Sequence, residues 1–348
     1  MAKETSAAAQ PLGNVMNPDP AWVAKHSEPA LEPELPIVDP HHHLWQRAGN
    51  DYLFHDLLAD TQTGHNIVAT VYVDCHSMYR KDGPAELRCI GETEFANGVA
   101  AMSASGLYGN LRACAGIVSH VDLRLGARAG GVFDAQIAAG NGRFKGIRHQ
   151  TGWDADPGIR NSRTDPTPGL TRDRTWREGF SELAKRGLTF DAWLYHPQLG
   201  EIAELADAFP GTSIVLDHVG GPLGYAGYVG RHDEVRTAWK NSMTELARRQ
   251  NIVVKVGGLG MAMGWFDFYQ QPSPPNSRQL AEAFKPWVET TLELFGADRC
   301  MFESNFPVDK ITSGYGVLWN AFKRLAAGAS AAEKTALFSG TASRVYRL

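Results

Sequence analysis

The stretch Pro36-Ile-Val-Asp-Pro-His-His-His-Leu-Trp45 predicts a short buried strand that leads directly into a functional site. The apolar pair that ends at Val38 has strand character, and the Asp-Pro pair after it ends the strand. His41 and His43 are two residues apart, so in an extended backbone their side chains point to the same face. Neutral imidazoles held in this way bind one cation between them or polarise a substrate oxygen. The alternative interpretation is a polar turn that holds three histidines without a function.

Around this stretch, short apolar runs alternate with longer helical patterns as far as the C terminus. The strand-like runs are residues 37–38, 67–73, 111–118, 144–147, 188–194, 213–216, 252–256 and 300–302. The helix candidates are residues 86–102, 175–185, 199–209, 233–249, 280–295 and 318–326. Several of the strand-like runs are apolar on both faces, which is typical of strands in a parallel sheet that is covered by helices.

About eight strands with helices between them predict an α/β fold, a distorted (β/α)8 TIM barrel formed by a single domain. The competing arrangement is a doubly wound open sheet. That fold is expected to carry a phosphate-binding glycine pattern after its first strand, and residues 39–47 contain no glycine. We therefore expect a barrel domain over residues 36–348. Residues 1–35 are expected to form an N-terminal arm that is disordered or lies across the body, with Trp22 as an anchor.

The composition is that of a globular protein without a nucleic-acid or membrane partner. The 348 residues are 43% hydrophobic and 21% charged, and the formal net charge of -4 gives no support for a nucleic-acid surface. The four cysteines form no C-x-x-C pair, which argues against a disulfide framework and a thiolate zinc site. Residues 1–10 lack the apolar core of a signal peptide, and the longest apolar runs have the length of strands. We therefore expect a cytoplasmic protein.

Two long connections, residues 152–172 and 257–277, are candidates for functional loops. The second carries two methionines and four aromatic residues, too many for a segment that is simply disordered. We expect it to form a lid over a pocket. Packing against another subunit is the alternative, and together with the N-terminal arm it makes a homodimer plausible.

Polar and ionisable side chains follow most of the predicted strands, and in a barrel of parallel strands these ends meet at one face. They are His41 and His43 after the first strand, His76, Tyr79 and Arg80 after the second, Arg148 after the fourth, His196 after the fifth, His218 after the sixth, and Glu303 and Asn305 after the eighth. One histidine after a strand is usually a hydrogen-bonded loop residue. With His149 beside Arg148, five strand ends carry a histidine, and together they indicate a site because buried polar groups are costly without a partner or a purpose.

These residues resemble the amidohydrolase superfamily, and within it the TIM-barrel group called amidohydrolase 2, which includes lactonases and related decarboxylases. The matching motifs are Asp39-Pro-His-His-His43, Gly146-Ile-Arg148, Tyr195-His-Pro197, Leu216-Asp-His-Val-Gly-Gly-Pro222 and Glu303-Ser-Asn-Phe-Pro307. The resemblance runs from about Pro36 to the C terminus. The Asp-His-Val-Gly-Gly-Pro stretch favours the lactonase-like branch.

The resemblance implies a divalent metal, with zinc favoured, for which His41, His43 and His196 are the candidate ligands. One position departs from the pattern: Asn305 stands where the family's last motif usually carries an aspartate that binds metal and accepts a proton from water. Glu303 points to the same face two residues earlier and is a candidate to replace that carboxylate. The alternative is a buried structural acid paired with a lysine or an arginine. A site without metal, in which histidines polarise the carbonyl directly, therefore also remains open.

We expect water to attack the ester-type carbonyl of a small carboxylated substrate, above all a lactone. His41 and His43, with or without a cation, would stabilise the oxyanion. His218, assisted by Glu303, would position or deprotonate the water, and Arg148 would grip a substrate carboxylate with two parallel hydrogen bonds. The other expected substrate contacts are His76, Tyr79, Arg80, Asn305, Trp45 and Trp265. The competing roles are structural: an ion pair for the arginine, a strand-end cap for His218, and core packing for the tryptophans.

Two other functions remain open from the sequence. A metal-dependent, non-oxidative decarboxylase of an aromatic or enol acid would use the same scaffold, but Asn305 argues against it because that reaction relies on a metal to orient the acid. The third function is a scaffold that binds a small acid without turning it over. The presence of His41, His43, His196 and His218 together argues against such a decayed site.

Overall fold

The computed structural model describes Gly13 and residues 15–348. Eight parallel strands form one sheet in the order β1-β2-β3-β4-β5-β6-β7-β8, so neighbours along the chain are neighbours in the sheet. The strands are β1 (Pro36–His42), β2 (Asn66–Val73), β3 (Arg112–Ser119), β4 (Phe144–Ile147), β5 (Thr189–Ala192), β6 (Ile214–Leu216), β7 (Ile252–Val256) and β8 (Cys300–Phe302). A parallel bridge between His42 and Phe306 brings the chain after β8 against β1 and nearly closes the barrel. The predicted TIM barrel is confirmed, and every predicted strand overlaps an observed one.

Twelve α-helices lie in the described part of the chain. They are α1 (Pro20–Val23), α2 (Phe54–Thr61), α3 (Ile90–Ala104), α4 (Ala129–Gly140), α5 (Arg174–Phe180), α6 (Glu182–Lys185), α7 (Leu199–Ala208), α8 (His232–Ala247), α9 (Ser277–Phe295), α10 (Tyr315–Leu325), α11 (Ala331–Thr335) and α12 (Thr341–Tyr346). The six predicted helices are all present. The sequence did not predict α1, α2, α4, α11 and α12. In α4, glycines and alanines give little contrast between a polar and an apolar face.

Side chains alternate along the strands between an outer face, packed on helices, and the inside of the barrel. On β7, Ile252 and Val254 belong to the large core cluster that also holds the buried faces of the helices. Val253 belongs instead to a smaller cluster with Val215 of β6 and Met301 of β8. This inner cluster forms an apolar layer inside the barrel. Inward-facing polar side chains therefore lie beyond it, towards the carboxyl ends of the strands.

The described part of the N-terminal arm lies across the body of its own chain. Trp22 Nε1 donates a hydrogen bond to Gln271 O at 2.7 Å, and Glu28 Oε1 accepts one from Ser277 N at 2.7 Å. The described part of the arm is therefore attached to the loop after β7 and to the start of α9. Residues 1–12 and 14 lie outside the described residues. In the part of the chain that the structure describes, no helix has the length and apolar character needed to cross a membrane.

Candidate active site

A layer of charged side chains lies inside the barrel, one step above the apolar inner cluster. Asp217, Lys255 and Glu303 each come two residues after an inward-facing residue of β6, β7 and β8, so the alternation of strand side chains turns them inward as well. Asp191 of β5 belongs to the same layer, where it contacts Lys255. All four side chains are fully buried. The register of four neighbouring strands thus concentrates ionisable groups at one level.

Lys255 is the central cation of this layer. Its Nζ donates to Asp191 Oδ2 at 2.6 Å and lies 3.2 Å from both Asp217 Oδ1 and His41 Nδ1. Burial alone would lower the pKa of Lys255, but the two neighbouring carboxylates outweigh burial and raise it. The lysine is therefore charged, and it compensates part of the negative charge inside the barrel.

Glu303 joins two of the predicted site histidines. Its Oε1 accepts hydrogen bonds from His218 Nδ1 at 2.7 Å and from His218 N at 3.1 Å, and its Oε2 lies 2.9 Å from His41 Nδ1. Burial alone would raise the pKa of Glu303, but the adjacent imidazoles of His218 and His41 lower it to about 2. An ionised Glu303 can only accept, so His218 carries its proton on Nδ1. Its Nε2 has no hydrogen-bond partner among the described residues, which leaves that atom available to a substrate or a water.

The backbone at the end of β6 is strained where it presents His218. His218 and Val219 have left-handed φ angles of 54° and 47°, a region that costs a residue other than glycine roughly 1–2 kcal/mol. Gly258, after β7, approaches so closely that an added Cβ would lie 2.3 Å from His218 Nδ1. The fold therefore holds the imidazole in one place, against Glu303.

His41 and His43 have different environments despite their regular spacing. His43 lines a cleft, and its Nδ1 donates to Val73 O at 2.8 Å. His41 is fully buried, and its Nε2 accepts from Arg148 Nη1 at 3.3 Å. Burial, with the nearby charge of Lys255, lowers the pKa of His41 to about 4, and burial with neighbouring cationic groups holds the pKa of His43 well below its ordinary value. Both rings are therefore neutral, and only His43 reaches the cleft.

Arg148 uses most of its hydrogen-bond donors within the protein. Its Nη1 lies 3.3 Å from both Asp217 Oδ2 and His41 Nε2, and its Nη2 donates to Asp74 O. The side chain is 4% exposed and nevertheless lines the cleft. The structural ion pair considered from the sequence is thus present. It leaves Arg148 as a fixed positive charge at the cleft wall, with few donors free for the predicted grip on a substrate carboxylate.

The cleft has a volume of about 120 Å³ and opens at the carboxyl ends of the strands. Trp45 and Trp193 provide aromatic walls, with ring centroids 5.8 Å from His43 and 4.9 Å from His218 respectively. Asn305 also lines it. The two long connections contribute residues 160–163 and 261–263, and the N-terminal arm contributes Gly13 and Val15. Part of the predicted lid therefore borders the cleft.

Several predicted site residues lie away from the cleft lining. Arg80 forms an exposed ion pair with Glu94, Trp265 donates from Nε1 to Pro222 O at 3.0 Å, His196 accepts at Nδ1 from Leu223 N at 3.3 Å, and His76 stacks on Tyr79 with ring centroids 5.4 Å apart. Their substrate and metal roles therefore stay predictions without support from the cleft geometry.

Two groups of described residues have donor atoms close enough to hold one metal ion. Within each group, these atoms lie within 4.8 Å of one another, and the groups are His41, Asp217 and His218, and Asp74, His76 and His120. The first group lies in the charged layer. The donor set of two imidazoles and a carboxylate suits zinc, although Asp217 Oδ1 already lies 3.2 Å from the charged Lys255 Nζ. These residues fit a divalent ion, but the predicted set of His41, His43 and His196 is not one of the converging groups.

The sequence did not single out some residues that the structure brings to the site. A signal existed for Asp217 and Lys255, because each is a charged residue at an inward position of an otherwise apolar strand. Trp193 follows β5 directly, where a site residue is expected. The cleft-lining arginines of the loops carried no such signal, because nothing local fixes where a loop side chain points.

Comparisons of the sequence place this geometry among known proteins. Residues 38–348 match the family model of the amidohydrolases. An uncharacterized protein of Sinorhizobium fredii, y4mH, is 33% identical over 341 residues, which cover 90% of this chain and 99% of that protein. An L-fucono-1,5-lactonase of Burkholderia multivorans is 27% identical over 207 residues, which cover 59% of this chain and 64% of the lactonase.

The fold has close counterparts among solved structures. A crystal structure of an amidohydrolase from Burkholderia multivorans, with bound zinc, superimposes with a TM-score of 0.67. The superposition covers 90% of this chain and 99% of that one, at 24% sequence identity. At this identity, the likeness concerns the fold.

Proposed function

The chain belongs to the amidohydrolase family, and we propose that it hydrolyses the ester-type bond of a small carboxylated lactone. The observation that carries the proposal is the buried hydrogen bond of 2.7 Å between His218 Nδ1 and Glu303 Oε1 at the cleft. A carboxylate that orients an imidazole in this way makes the opposite ring nitrogen a proton acceptor. The partial match to an L-fucono-1,5-lactonase supports a lactone as the substrate class.

His218 is placed to activate the attacking water. Its Nε2 accepts a proton from the water as the new bond to the carbonyl carbon forms, and Glu303 stabilises the imidazolium that results. Proton return from Nε2 to the leaving oxygen completes ring opening. Trp193, whose ring centroid lies 4.9 Å from that of His218, limits the directions from which water can approach.

The developing oxyanion needs a positive charge, and Arg148, which lines the cleft, supplies one. We assign this role to Arg148 and not to His43, because the only proton of neutral His43 is already donated to Val73 O. His43 Nε2 can accept a hydrogen bond from a substrate hydroxyl or from water. This assignment revises the expected oxyanion role of the histidine pair.

A divalent ion would be held by His41, Asp217 and His218. Because His218 Nδ1 donates to Glu303, only its Nε2 is left for the ion, so this site is the alternative to the role of His218 as the base. When bound, such an ion polarises a carbonyl and lowers the pKa of a coordinated water. Elemental analysis of protein purified without chelator, expressed per chain, separates the two arrangements. We predict that protein without a divalent ion hydrolyses lactones at full rate. Activity that is lost with the ion and restored by it would assign Nε2 to the metal and refute the base role of His218.

The proposed roles are tested with Glu303→Gln and His218→Asn against a panel of carboxylated lactones. We expect kcat to fall by roughly 10²- to 10³-fold in each variant while KM changes little, because proton transfer and not binding is removed. Glu94→Gln, on the surface beside Arg80, is the matched control and should keep full activity. Unchanged turnover in both site variants, with the fold retained by circular dichroism, would refute the proposal.

A further inference from the structure

Asp74, His76 and His120 lie together at the carboxyl ends of β2 and β3, and none of them is among the described residues that line the cleft. Val73 and Val118 are partners in the ladder of these two strands, so the residues that follow them emerge side by side. One ligand atom of each of the three side chains lies within 4.8 Å of the other two. The group shares no residue with the one around His218.

Asp74 uses its two carboxylate oxygens differently. Oδ2 accepts from Gln150 Nε2 at 3.2 Å and lies 3.7 Å from Arg148 Nε. Oδ1 accepts a long hydrogen bond, 3.4 Å, from His76 N. Arg148 also faces Asp217 at 3.3 Å, so it balances the charge of Asp74 only in part. Because a carboxylate oxygen can bind more than one partner, Oδ1 keeps the capacity to bind a cation.

His120 is held with one ring nitrogen available. Its side chain is buried, and its Nδ1 donates to Arg148 O at 3.1 Å. A carbonyl oxygen can only accept, so the neutral ring carries its proton on Nδ1 and its lone pair on Nε2. A backbone carbonyl that fixes a histidine in this way is the usual outer partner of a metal ligand.

His76 supplies the second ring. Its Nε2 is buried, has no hydrogen-bond partner among the described residues, and lies 3.9 Å from Asp74 Oδ1. The ring centroids of Tyr79 and His120 lie 5.4 Å from that of His76, so the imidazole is packed between two rings. Its backbone has a left-handed φ of 58°, which is costly for a histidine. Burial lowers the pKa of His76, which favours the neutral ring that a metal needs.

We propose that Asp74, His76 and His120 form a binding site for one divalent transition-metal ion, of which zinc is the best match. Two imidazole nitrogens and one carboxylate oxygen suit zinc, whereas magnesium and calcium prefer oxygen ligands alone. The fourth position is left to a water, which enters beside His76, whose side chain is 22% exposed.

The ion would tie the end of β2 to the end of β3 beside the cleft. Cys75, between two of the ligands, lines the cleft, and its carbonyl oxygen accepts from Arg47 Nη2 at 3.0 Å and from Arg163 Nη1 at 3.3 Å. The bound ion therefore fixes a piece of the cleft wall. His218 and Glu303 do not belong to the group, so the proposed hydrolysis does not require this ion.

The site is tested with Co²⁺, a coloured substitute for zinc, titrated into untagged, full-length His218→Asn protein from which metal has been removed. This background lacks one ligand of the other group. We expect one equivalent of Co²⁺ to bind, with the visible absorption bands of cobalt in a nitrogen-containing site. His76→Asn and His120→Asn, each added to the background, should weaken binding by tenfold or more, because each removes a direct ligand.

His55→Asn is the matched control, because His55 is exposed and belongs to neither group; it should leave the affinity unchanged. Asparagine tolerates a left-handed φ, so His76→Asn keeps the backbone even if His120→Asn does not fold. Absence of Co²⁺ binding in the His218→Asn background would overturn the proposal. Binding that His76→Asn leaves at full affinity would do the same. Both results are obtained without a lactone, so they stand apart from the proposed reaction.

Discussion

Asn305, after β8, departs from the amidohydrolase pattern, and its contacts explain what replaces the expected aspartate. Its Nδ2 donates to Asp309 Oδ1 at 2.7 Å, and Asp309 Oδ2 accepts from Gly260 N at 2.8 Å. Burial raises the pKa of Asp309 to about 7. Asn305 therefore binds the carboxyl group of Asp309 and carries no carboxylate itself. In our proposal, the catalytic carboxylate is that of Glu303. An aspartate at position 305 would face a group that is already costly to ionise.

We predict that Asn305→Asp destabilises the protein more at pH 8 than at pH 5. Because the pKa of Asp309 is raised, the folded protein binds its proton more tightly than the unfolded chain does. The stability that this proton contributes is fully present below pH 3.8, the ordinary pKa, and is lost as the pH rises towards 7. A second carboxylate 2.7 Å away replaces a hydrogen bond by repulsion once both groups ionise. The expected loss at pH 8 is roughly 1–3 kcal/mol, measured by denaturant unfolding at both pH values.

The double variant Asn305→Asp/Asp309→Asn is the control for this experiment. It exchanges amide and carboxylate across the same contact, and the asparagine oxygen can still accept from Gly260 N. It should recover most of the lost stability at pH 8. Equal destabilisation by Asn305→Asp at both pH values would contradict the repulsion argument.

At the scale of the secondary-structure elements, the ends of β6 and β7 fit together only because β7 is followed by two glycines. A Cβ on Gly257 would lie 2.4 Å from Glu303 O, and one on Gly258 would lie 2.3 Å from His218 Nδ1. Gly258 also has a left-handed φ of 64°. The short β7–β8 and β6–β7 contacts therefore set how closely His218 approaches Glu303.

We predict that Gly258→Ala lowers kcat/KM by about 100-fold or more, because the added methyl group displaces the His218 ring from Glu303. Gly230→Ala is the matched control: its φ is 75°, and a Cβ there has nothing within 4 Å. Both variants carry the backbone strain, about 1 kcal/mol, but only the first has the clash. Kinetics on the same lactone would contradict the prediction if the two variants lost activity equally.

At the scale of the whole molecule, the N-terminal arm is attached to the barrel by the half-buried carboxylate of Glu28. Glu28 Oε1 accepts from Ser277 N, the first residue of α9, at 2.7 Å, and Oε2 accepts from Asn320 Nδ2 of α10 at 3.1 Å. Burial alone would raise the pKa of Glu28, but the hydrogen bonds from Ser277, with those of its other partners, lower it to about 2. A negative charge at the start of α9 is also favoured by the helix dipole.

We predict that Glu28→Gln lowers the free energy of unfolding at pH 7 by roughly 1–2 kcal/mol. A depressed pKa means that the folded state binds fewer protons than the unfolded one. The stabilisation is therefore present above pH 4.5, the ordinary pKa, and is lost as the pH falls towards 2. The difference between the two proteins should shrink over that window in acid unfolding curves, whereas exposed Glu282→Gln should show no difference at any pH. A constant gap from pH 7 to pH 2 would rule out the charged form of Glu28 as its source.

The amino-acid sequence by itself determined the barrel fold and the end of the barrel at which the reactive residues lie. The apolar run 252–256 predicts a strand, and the His41–His43 spacing predicts that both rings point to one face. Both predictions hold because strand boundaries and the alternation of side chains depend on neighbours in the chain. For the same reason, the sequence located Glu303 and His218 at strand ends that share one face. The sequence did not define α4, whose small residues give no periodic signal.

Only the tertiary structure decided which of these groups meet. Glu303 contacts His218 and His41 because β1, β6 and β8 belong to one nearly closed barrel. These three segments are far apart in the chain, so no local sequence pattern predicts that they meet. The same closure pairs Arg148 with Asp217, so the guanidinium is not free to grip a substrate carboxylate. It also brings Arg47 and Arg163, more than a hundred residues apart in the chain, to the same carbonyl oxygen. Periodicity fixes the direction of a side chain, whereas its partner is fixed by the packing of strands and loops around the whole barrel.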